Sequence, residues 1–395
     1  MLAEKYIGKI TEELESRRQA LTAMSRTIWE NPELGHQEFK ASKLLTDMLS
    51  ENGFTVERNL LGMETAFSAV KKSGKPGPVI AYVAEYDALP KIGHACGHNL
   101  FCCSAVGGAI TLSKIQEELG GEVRVIGAPA EEGTVPNYGT KAVMVNEGIF
   151  SDVDCVFTAH GEGETVIERN LVAATTVKLH FHGYGVHAGG DPVLGKNALT
   201  AGMLCMSNMN AIRQQNRPCD VISGIVTDGG LVSNTIPDSC GLEFSLRSDT
   251  SPHLDRVVQN LRNCAEAACL VTGCTYDWEV VPNPMKDTKS NHQMGLVLAQ
   301  YLDSIGESYT QTDSRNFAWD VGDITYVCPT LGSYFKMGPS DIACHTEPFC
   351  KAAGSQQGFD GMMLAAKGLT VVACEYLLNE DFRKAAWKEF EETRK

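Results

Sequence analysis

The sequence predicts an α/β fold, a mostly parallel sheet with helices on both faces, interrupted by a smaller inserted α+β domain. Two observations carry this reading. Short runs of β-forming apolar residues alternate with helical stretches, and each strand hands over to polar residues before the next helix. Midway along the chain the pattern changes to strands of alternating polarity and then changes back. At 395 residues the chain is longer than one core usually supports, so two domains are favoured over one large α/β domain.

Ile7, Ile10, Leu14, Leu21, Met24 and Ile28 recur among charged residues and predict one or two amphipathic helices. FKASKLLTDMLSENG repeats the pattern and stops at Asn52 and Gly53. In PVIAYVAEYDALP, Val79 to Ala84 form a short apolar run that reads as a buried strand with Glu85 and Asp87 at its end. A helix is expected over 99–119, stopped by Gly120 and Gly121. The strands VRVIGAPA and VDCVFTA then deliver Glu131 and Glu132, and His160. Sheets of this kind gather their chemistry at strand ends.

ATTVKLHFHGYGVHAG alternates, with Thr176, Lys178, His180 and His182 on one face of a half-exposed strand. A helix over 198–215, the segment GIVTDGGLVSNTIPDSCGLEFSLRSD, a helix over 252–270 and TYDWEVVPN come next. This is a β-α-β-β-α-β order, ferredoxin-like, over 174–284. One domain is therefore expected from 1–173 and 285–395, with the other inserted between them. The first pattern resumes with a helix over 292–302, a strand at ITYVCPT and a final helix over 352–377.

The formal charge of −15, from 49 acidic against 34 basic side chains, repels phosphate backbones and argues against nucleic acid as a partner. No run approaches about eighteen consecutive apolar residues, so no membrane is expected. MLAEKYIGKITEELESRRQA lacks the apolar core of a signal peptide, and a cytoplasmic location is the expectation. The 14 cysteines are scattered and are expected to be reduced and mostly buried.

GHACGHNL sets Cys96 and His98 on either side of Gly97, where both can turn to one side of a tight loop. Thiolate and imidazole suit borderline cations, but two ligands do not complete a site. Glu131 and Glu132 are adjacent carboxylates after a buried strand, costly unless a cation or hydrogen bonds receive them. His160 and, in ACHTEPF, His345 are further donors. Two other readings stand beside a metal. Cys96 could be a nucleophilic thiolate with a histidine base, although nothing orients that base and the paired glutamates would have no role. Alternatively, the chain could be a catalytically silent dimeric binding protein. GVHAGG and TDGGL read as turns, since neither holds the phosphate-loop lysine nor the dinucleotide fingerprint.

WENPELGHQEF, EYDALPKIGHACGHN, APAEEG, FHGYGVHAGG, SNTIPD, AWDVGD and HTEPF occur in that order from about residue 28 to 357. The chain thereby resembles the M20 family of metallopeptidases and amidohydrolases, in the branch holding aminoacylases, auxin-conjugate hydrolases and aminobenzoyl-glutamate hydrolases. The resemblance implies a zinc-exopeptidase-like catalytic domain, with 174–284 as a lid and dimerisation domain of a homodimer. It implies two divalent ions per subunit, zinc or manganese, and hydrolysis of an N-acyl amino acid, an aminobenzoyl-glutamate-like amide or a small dipeptide. Cys96 becomes a bridging ligand and His98 a terminal one. Glu132, His160 and His345 complete the set, and Glu131 is the general base. His187 matches a lid histidine that reaches across the dimer toward the oxyanion, while Asn234 and Arg247 match groups that hold the substrate backbone or carboxylate. The wider family has His-x-Asp where this chain has Glu85-Tyr86-Asp87. His98 then replaces the missing histidine and Asp87 orients the ligands from behind, with Glu85 as an alternative ligand. His94 is left to shape the loop or meet substrate.

Overall fold

A computed structural model describes residues 1–281, 283–315 and 317–394, the side chains of 312–315 aside. The chain forms two compact units: Met1–Asn170 with Thr288–Arg315 and Trp319–Lys395, and Leu171–Asp287 with Asn316–Ala318. The first opens with α1 (Glu4–Glu30), α2 (Phe39–Glu51), β1 (Thr55–Arg58), β2 (Phe67–Lys72), β3 (Val79–Glu85), α3 (His98–Leu119), β4 (Glu122–Ala128), α4 (Thr140–Asn146), β5 (Cys155–Glu162) and β6 (Val166–Leu171). Next come β7 (Ala173–His182), α5 (Ala198–Ala211), β8 (Val221–Asp228), β9 (Ser239–Ser248), α6 (Ser251–Thr272) and β10 (Thr275–Val280). The chain returns with α7 (His292–Ile305), β11 (Thr310–Arg315), α8 (Val321–Ile324), β12 (Thr330–Lys336), α9 (Glu347–Ala353), α10 (Gln356–Leu378) and α11 (Glu380–Thr393).

In the first unit the strands run in the order β1-β2-β4-β3-β5-β12-β6-β11 among the described residues. The central β4, β3, β5 and β12 are mutually parallel, and the β1–β2, β2–β4 and β12–β6 pairs are antiparallel. Successive strand side chains face opposite ways. Ile80, Tyr82 and Phe157 join a core with residues of α1, α3 and α10, while Ala81, Val83, Ile126 and Val156 join another with residues of α4 and α8. A sheet covered on both faces explains why its strands are near-continuous apolar runs. Each fully buried Leu or Phe in these layers contributes about 1.5–3 kcal/mol. By length and composition α10 could cross a membrane, but 83% of its apolar window is buried inside the protein.

Two stretches differ from the sequence reading. ITYVCPT is not a strand: α8 and a further turn occupy 321–328, and β12 starts only at Thr330. Val321, Ile324 and Cys328 are all buried, at helical rather than alternating spacing, and a short apolar run fits either element. The helix expected over 352–377 is α10, flanked by the separate helices α9 and α11. Ser355 Oγ caps α10 by accepting from Gly358 N at 3.1 Å, and Asn379 Oδ1 caps α11 by accepting from Phe382 N at 3.1 Å.

The second unit has strand order β10-β7-β9-β8, all antiparallel, as expected of a ferredoxin-like β-α-β-β-α-β chain. Val177, Leu179, Phe181, Leu242, Phe244 and Leu246 meet residues of α5 and α6 in one core. Lys178, His180 and His182 are exposed on the other face. This unit runs a few residues beyond 174–284 at each end, since Ala173 begins β7 and Ala174 bridges to Met285.

Candidate active site

Parallel pairing brings the carboxyl ends of several strands to one edge. Glu85 is in register with Ala128, so the segments after β3 and β4 leave the sheet side by side. The Glu132 amide donates to Asp87 Oδ2 at 2.9 Å and ties them together. His160 lies within β5 rather than past its end, in register with Tyr334. Gly97, at φ 79°, opens α3 and turns Cys96 and His98 into the same space. Gly161 leaves room for that loop, because a Cβ there would come within 2.8 Å of the Cys96 carbonyl oxygen.

Cys96, His98, Glu131, Glu132, His160 and His345 come together here. Cys96 Sγ lies 2.7 Å from Glu132 Oε1, which is 3.4 Å from His345 Nε2. His98 Nδ1 sits 2.9 Å from the Asp87 carbonyl oxygen and 3.2 Å from Asp87 Oδ1. That leaves His98 Nε2 facing Glu85 Oε2 at 3.5 Å and Glu131 Oε2 at 3.8 Å. The His160 ring packs edge-on to His98 and Trp319, with centroids 5.6 Å away in each case, and is 5.8 Å from Tyr334. His94 is buried and belongs to none of the metal-compatible groups among the described residues. Burial, aided by the charge of His98, pushes its pKa down to about 3 and keeps it neutral.

The electrostatics are those of a crowded acidic pocket. Burial, reinforced by Glu132 and Glu85, pushes the Glu131 carboxyl well above the ordinary carboxylate range. Burial acts the same way on Glu132 and Asp87. For Glu132 the hydrogen bond with His345 and the charge of His98 prevail, and for Asp87 the contact with His98 does, so both are held low. Burial, then Cys344 and Glu132, push the Cys96 thiol far up. His345 is raised to about 10 by Cys344 and then Glu132.

The donors fit divalent cations. Three groups have ligand atoms within 4.8 Å of one another: Cys96 with His98 and His160, Cys96 with Cys344 and His345, and His98 with Glu131 and Glu132. Cys96 is common to the first two. Glu85 Oε2 and His98 Nε2, 3.5 Å apart, are buried polar atoms with no hydrogen-bond partner, a costly state that a cation relieves.

Sequence reasoning passed over several residues at this edge. Lys141 is fully buried, with Nζ 2.8 Å from Glu85 Oε1 and in contact with Asp320 Oδ1. Trp319 Nε1 donates to the same Glu85 oxygen at 2.7 Å. Trp319 and Asp320 lie inside AWDVGD, a motif given no residue roles in the sequence, and nothing in the pattern around Lys141 distinguishes it from a solvated helical lysine. Glu38, inside WENPELGHQEF, accepts from Thr65 Oγ1 and from Ala130 N, each at 2.8 Å. It thereby holds Ala130, at φ 54°, just before Glu131.

His187, Asn234 and Arg247 lie in the second unit. His187 and Asn234 are neighbours: Ala188 N donates to the Asn234 carbonyl at 2.8 Å and His187 bridges to Thr235. His187 Nδ1 accepts from Gly189 N at 3.1 Å. Arg247 is in β9, in register with Ala174 and Val221.

Comparison with known proteins agrees with this architecture. The model of peptidase family M20/M25/M40 matches residues 81–366. The Xaa-Arg dipeptidase of Mus musculus is 31% identical over 97% of this chain and 91% of its own length. A subunit of the p-aminobenzoyl-glutamate hydrolase of Escherichia coli is 32% identical over 68% of this chain and 59% of that protein. A Bacillus subtilis structure described as a dinuclear metal-binding peptidase of the M20 family superposes with a TM-score of 0.69 at 20% identity, over 91% of this chain and 99% of that one. With the family model matched over residues 81–366 and a relative 31% identical over nearly the whole chain, this chain belongs to peptidase family M20/M25/M40 and is a hydrolase of amide bonds.

Proposed function

We propose that the chain is a metal-dependent dipeptidase that cleaves small dipeptides with a basic carboxy-terminal residue. The observation that carries the metal chemistry is the convergence of two donor groups on Cys96 beside the buried Glu131 carboxyl. In this reading Cys96, His98 and His160 hold one divalent cation, and Cys96, Glu132 and His345 hold a second. Zinc and manganese are the candidate metals. When bound, the pair would supply Lewis acidity toward the amide carbonyl and the attacking water.

The residues divide the remaining work. Glu131 takes the water's proton on a carboxylate oxygen and gives it to the departing amine nitrogen. Asp87 fixes His98 through Nδ1 and leaves the Nε2 lone pair for the cation. Glu85 Oε1 is engaged by Lys141 and Trp319, which leaves Oε2, 3.5 Å from His98 Nε2, as the oxygen through which Glu85 stands as the alternative ligand. The oxyanion role of His187 and the substrate-holding roles of Asn234 and Arg247 belong to the same proposal, on the strength of their motifs. The thiol-hydrolase reading is disfavoured, because it gives no role to the paired Glu131 and Glu132 carboxylates, whereas Cys96 is shared by two metal-compatible donor groups.

Two observations favour a cationic dipeptide. Similarity to Xaa-Arg dipeptidase runs nearly end to end, and a chain of charge −15 steers cations in and doubly anionic acyl-glutamates away. A homodimer through the second unit is also proposed, supported by the edge position of β8 and the exposure of Val221, Ile225 and Val226 on it. The test is a turnover panel of Xaa-Arg and Xaa-Lys dipeptides, neutral dipeptides, N-acetyl amino acids and aminobenzoyl-glutamate, with zinc and manganese supplied separately. Basic dipeptides should lead by at least about tenfold in kcat/KM, a difference of about 1.4 kcal/mol. A lead for aminobenzoyl-glutamate or N-acetyl amino acids rejects the substrate assignment, and chelator-resistant turnover rejects the metal.

A further inference from the structure

Cys344 stands at this site without a part in the proposed chemistry. Its sulfur is 3.6 Å from that of Cys96, and both sulfurs lie within 4.8 Å of a ring nitrogen of His345. Glu132 Oε1 lies beside this group, 2.7 Å from Cys96 Sγ and 3.4 Å from His345 Nε2. We propose that the Cys344 thiolate is a further ligand, joining Cys96 and His345 to give one cation position two sulfurs and an imidazole nitrogen, a set selective for thiophilic divalent ions of the zinc class. The inference rests on the metal-hydrolase reading and extends it to metal selectivity.

The geometry and the backbone both support it. A tetrahedral cation with metal–sulfur bonds of about 2.3 Å separates two sulfurs by about 3.8 Å, close to the spacing found, and both cysteines are free thiols. Neighbouring residues of an extended chain present their side chains to opposite sides. Here His345 takes φ 62°, a left-handed turn, with its N–H donating to the Ala95 carbonyl at 3.1 Å. Cys344 Sγ lies 3.4 Å from that same oxygen. The turn thus anchors the 344–345 segment on the residue before Cys96 and lets consecutive side chains offer donors to one point. On binding, each thiol gives up one proton to solvent as its metal–sulfur bond forms, and the neutral imidazole adds the nitrogen donor. Two soft sulfurs favour zinc, cobalt or cadmium over manganese, which takes oxygen donors readily.

The test uses the full chain stripped of metal and titrated separately with cobalt, cadmium and manganese, comparing wild type with Cys344→Ser and Cys344→Ala. Cys344 is exposed, so neither change disturbs the core. The expected result is that both variants lose a third to a half of the near-ultraviolet thiolate-to-cobalt absorbance. They should bind cadmium at least about tenfold more weakly and manganese as wild type does. Equal absorbance and cadmium affinity in wild type and both variants overturns the ligand assignment and leaves the metal-hydrolase reading standing. Wild type that takes up none of the three metals overturns both.

Discussion

Lys141 Nζ stands 2.8 Å from Glu85 Oε1, and both side chains are buried. Asp320, also buried, holds the same ammonium from its other side. One cation thus balances two carboxylates, and Glu85 Oε2 faces His98. Burial alone would lower the lysine pKa, yet Asp320 and Glu85 raise it, so the charge is kept. Lys141→Met leaves both carboxylates without their shared counter-charge, although Trp319 Nε1 and the backbone N–H of residue 141 still donate to them, and should cost about 3–5 kcal/mol, read as a lower midpoint in urea unfolding. A loss under about 1 kcal/mol would mean that the cluster relaxes when the ammonium is removed.

Glu131→Gln removes the proton acceptor but keeps the size and polarity of the side chain. Turnover should fall by about two to four orders of magnitude, with metal content per chain unchanged by elemental analysis. Loss of metal along with activity would recast Glu131 as a ligand, which its place beside His98 and Glu132 in one donor group makes the competing role.

Burial, with the charge of Asp87 behind it, pushes the Glu38 carboxyl up to about 7 from an ordinary 4.5. The folded protein therefore binds this proton more tightly than the unfolded chain does. The stability it contributes is fully present below pH 4.5 and is lost as pH rises through about 7. The unfolding free energy of wild type relative to Glu38→Gln should drop by roughly 3 kcal/mol across that window, at 1.36 kcal/mol per pH unit. A pH-independent difference would show that Glu38 ionises normally.

Much of this was legible in the sequence, for a physical reason. A strand buried on both faces must be apolar throughout, so Val79–Ala84 announced β3 and the polar residues at its end. Carboxylates and imidazoles at such ends are conspicuous because burying them is costly. ITYVCPT misled because a short apolar run satisfies either period, and only the buried spacing of Val321, Ile324 and Cys328 decides for a helix. Lys141 was invisible because a lysine in a short helix is ordinarily solvated; its partners Glu85 and Asp320 come from distant parts of the chain. Cys344 was overlooked beside His345, since neighbouring residues normally face apart and the left-handed turn that aligns them has no glycine to mark it.

Gly161 tests whether the loop carrying Cys96 depends on how closely β5 can approach it. A Cβ at Gly161 would lie 2.8 Å from the Cys96 carbonyl oxygen and 2.7 Å from Met337 Sδ. The methionine can swing aside, but the carbonyl is backbone and can yield only by moving Cys96. Gly161→Ala should therefore weaken zinc binding by about ten- to a hundredfold, in the range seen when the support of a ligand is disturbed, with overpacking costing about 1–3 kcal/mol of stability. Gly8→Ala is the matched control: a Cβ there meets nothing within 4 Å on α1, so the change should add about 0.5–1 kcal/mol of stability and leave zinc affinity as it was. Isothermal titration of the three metal-free proteins with zinc separates the outcomes. If Gly161→Ala loses stability yet binds zinc like wild type, Cys96 does not need that approach to keep its sulfur in place.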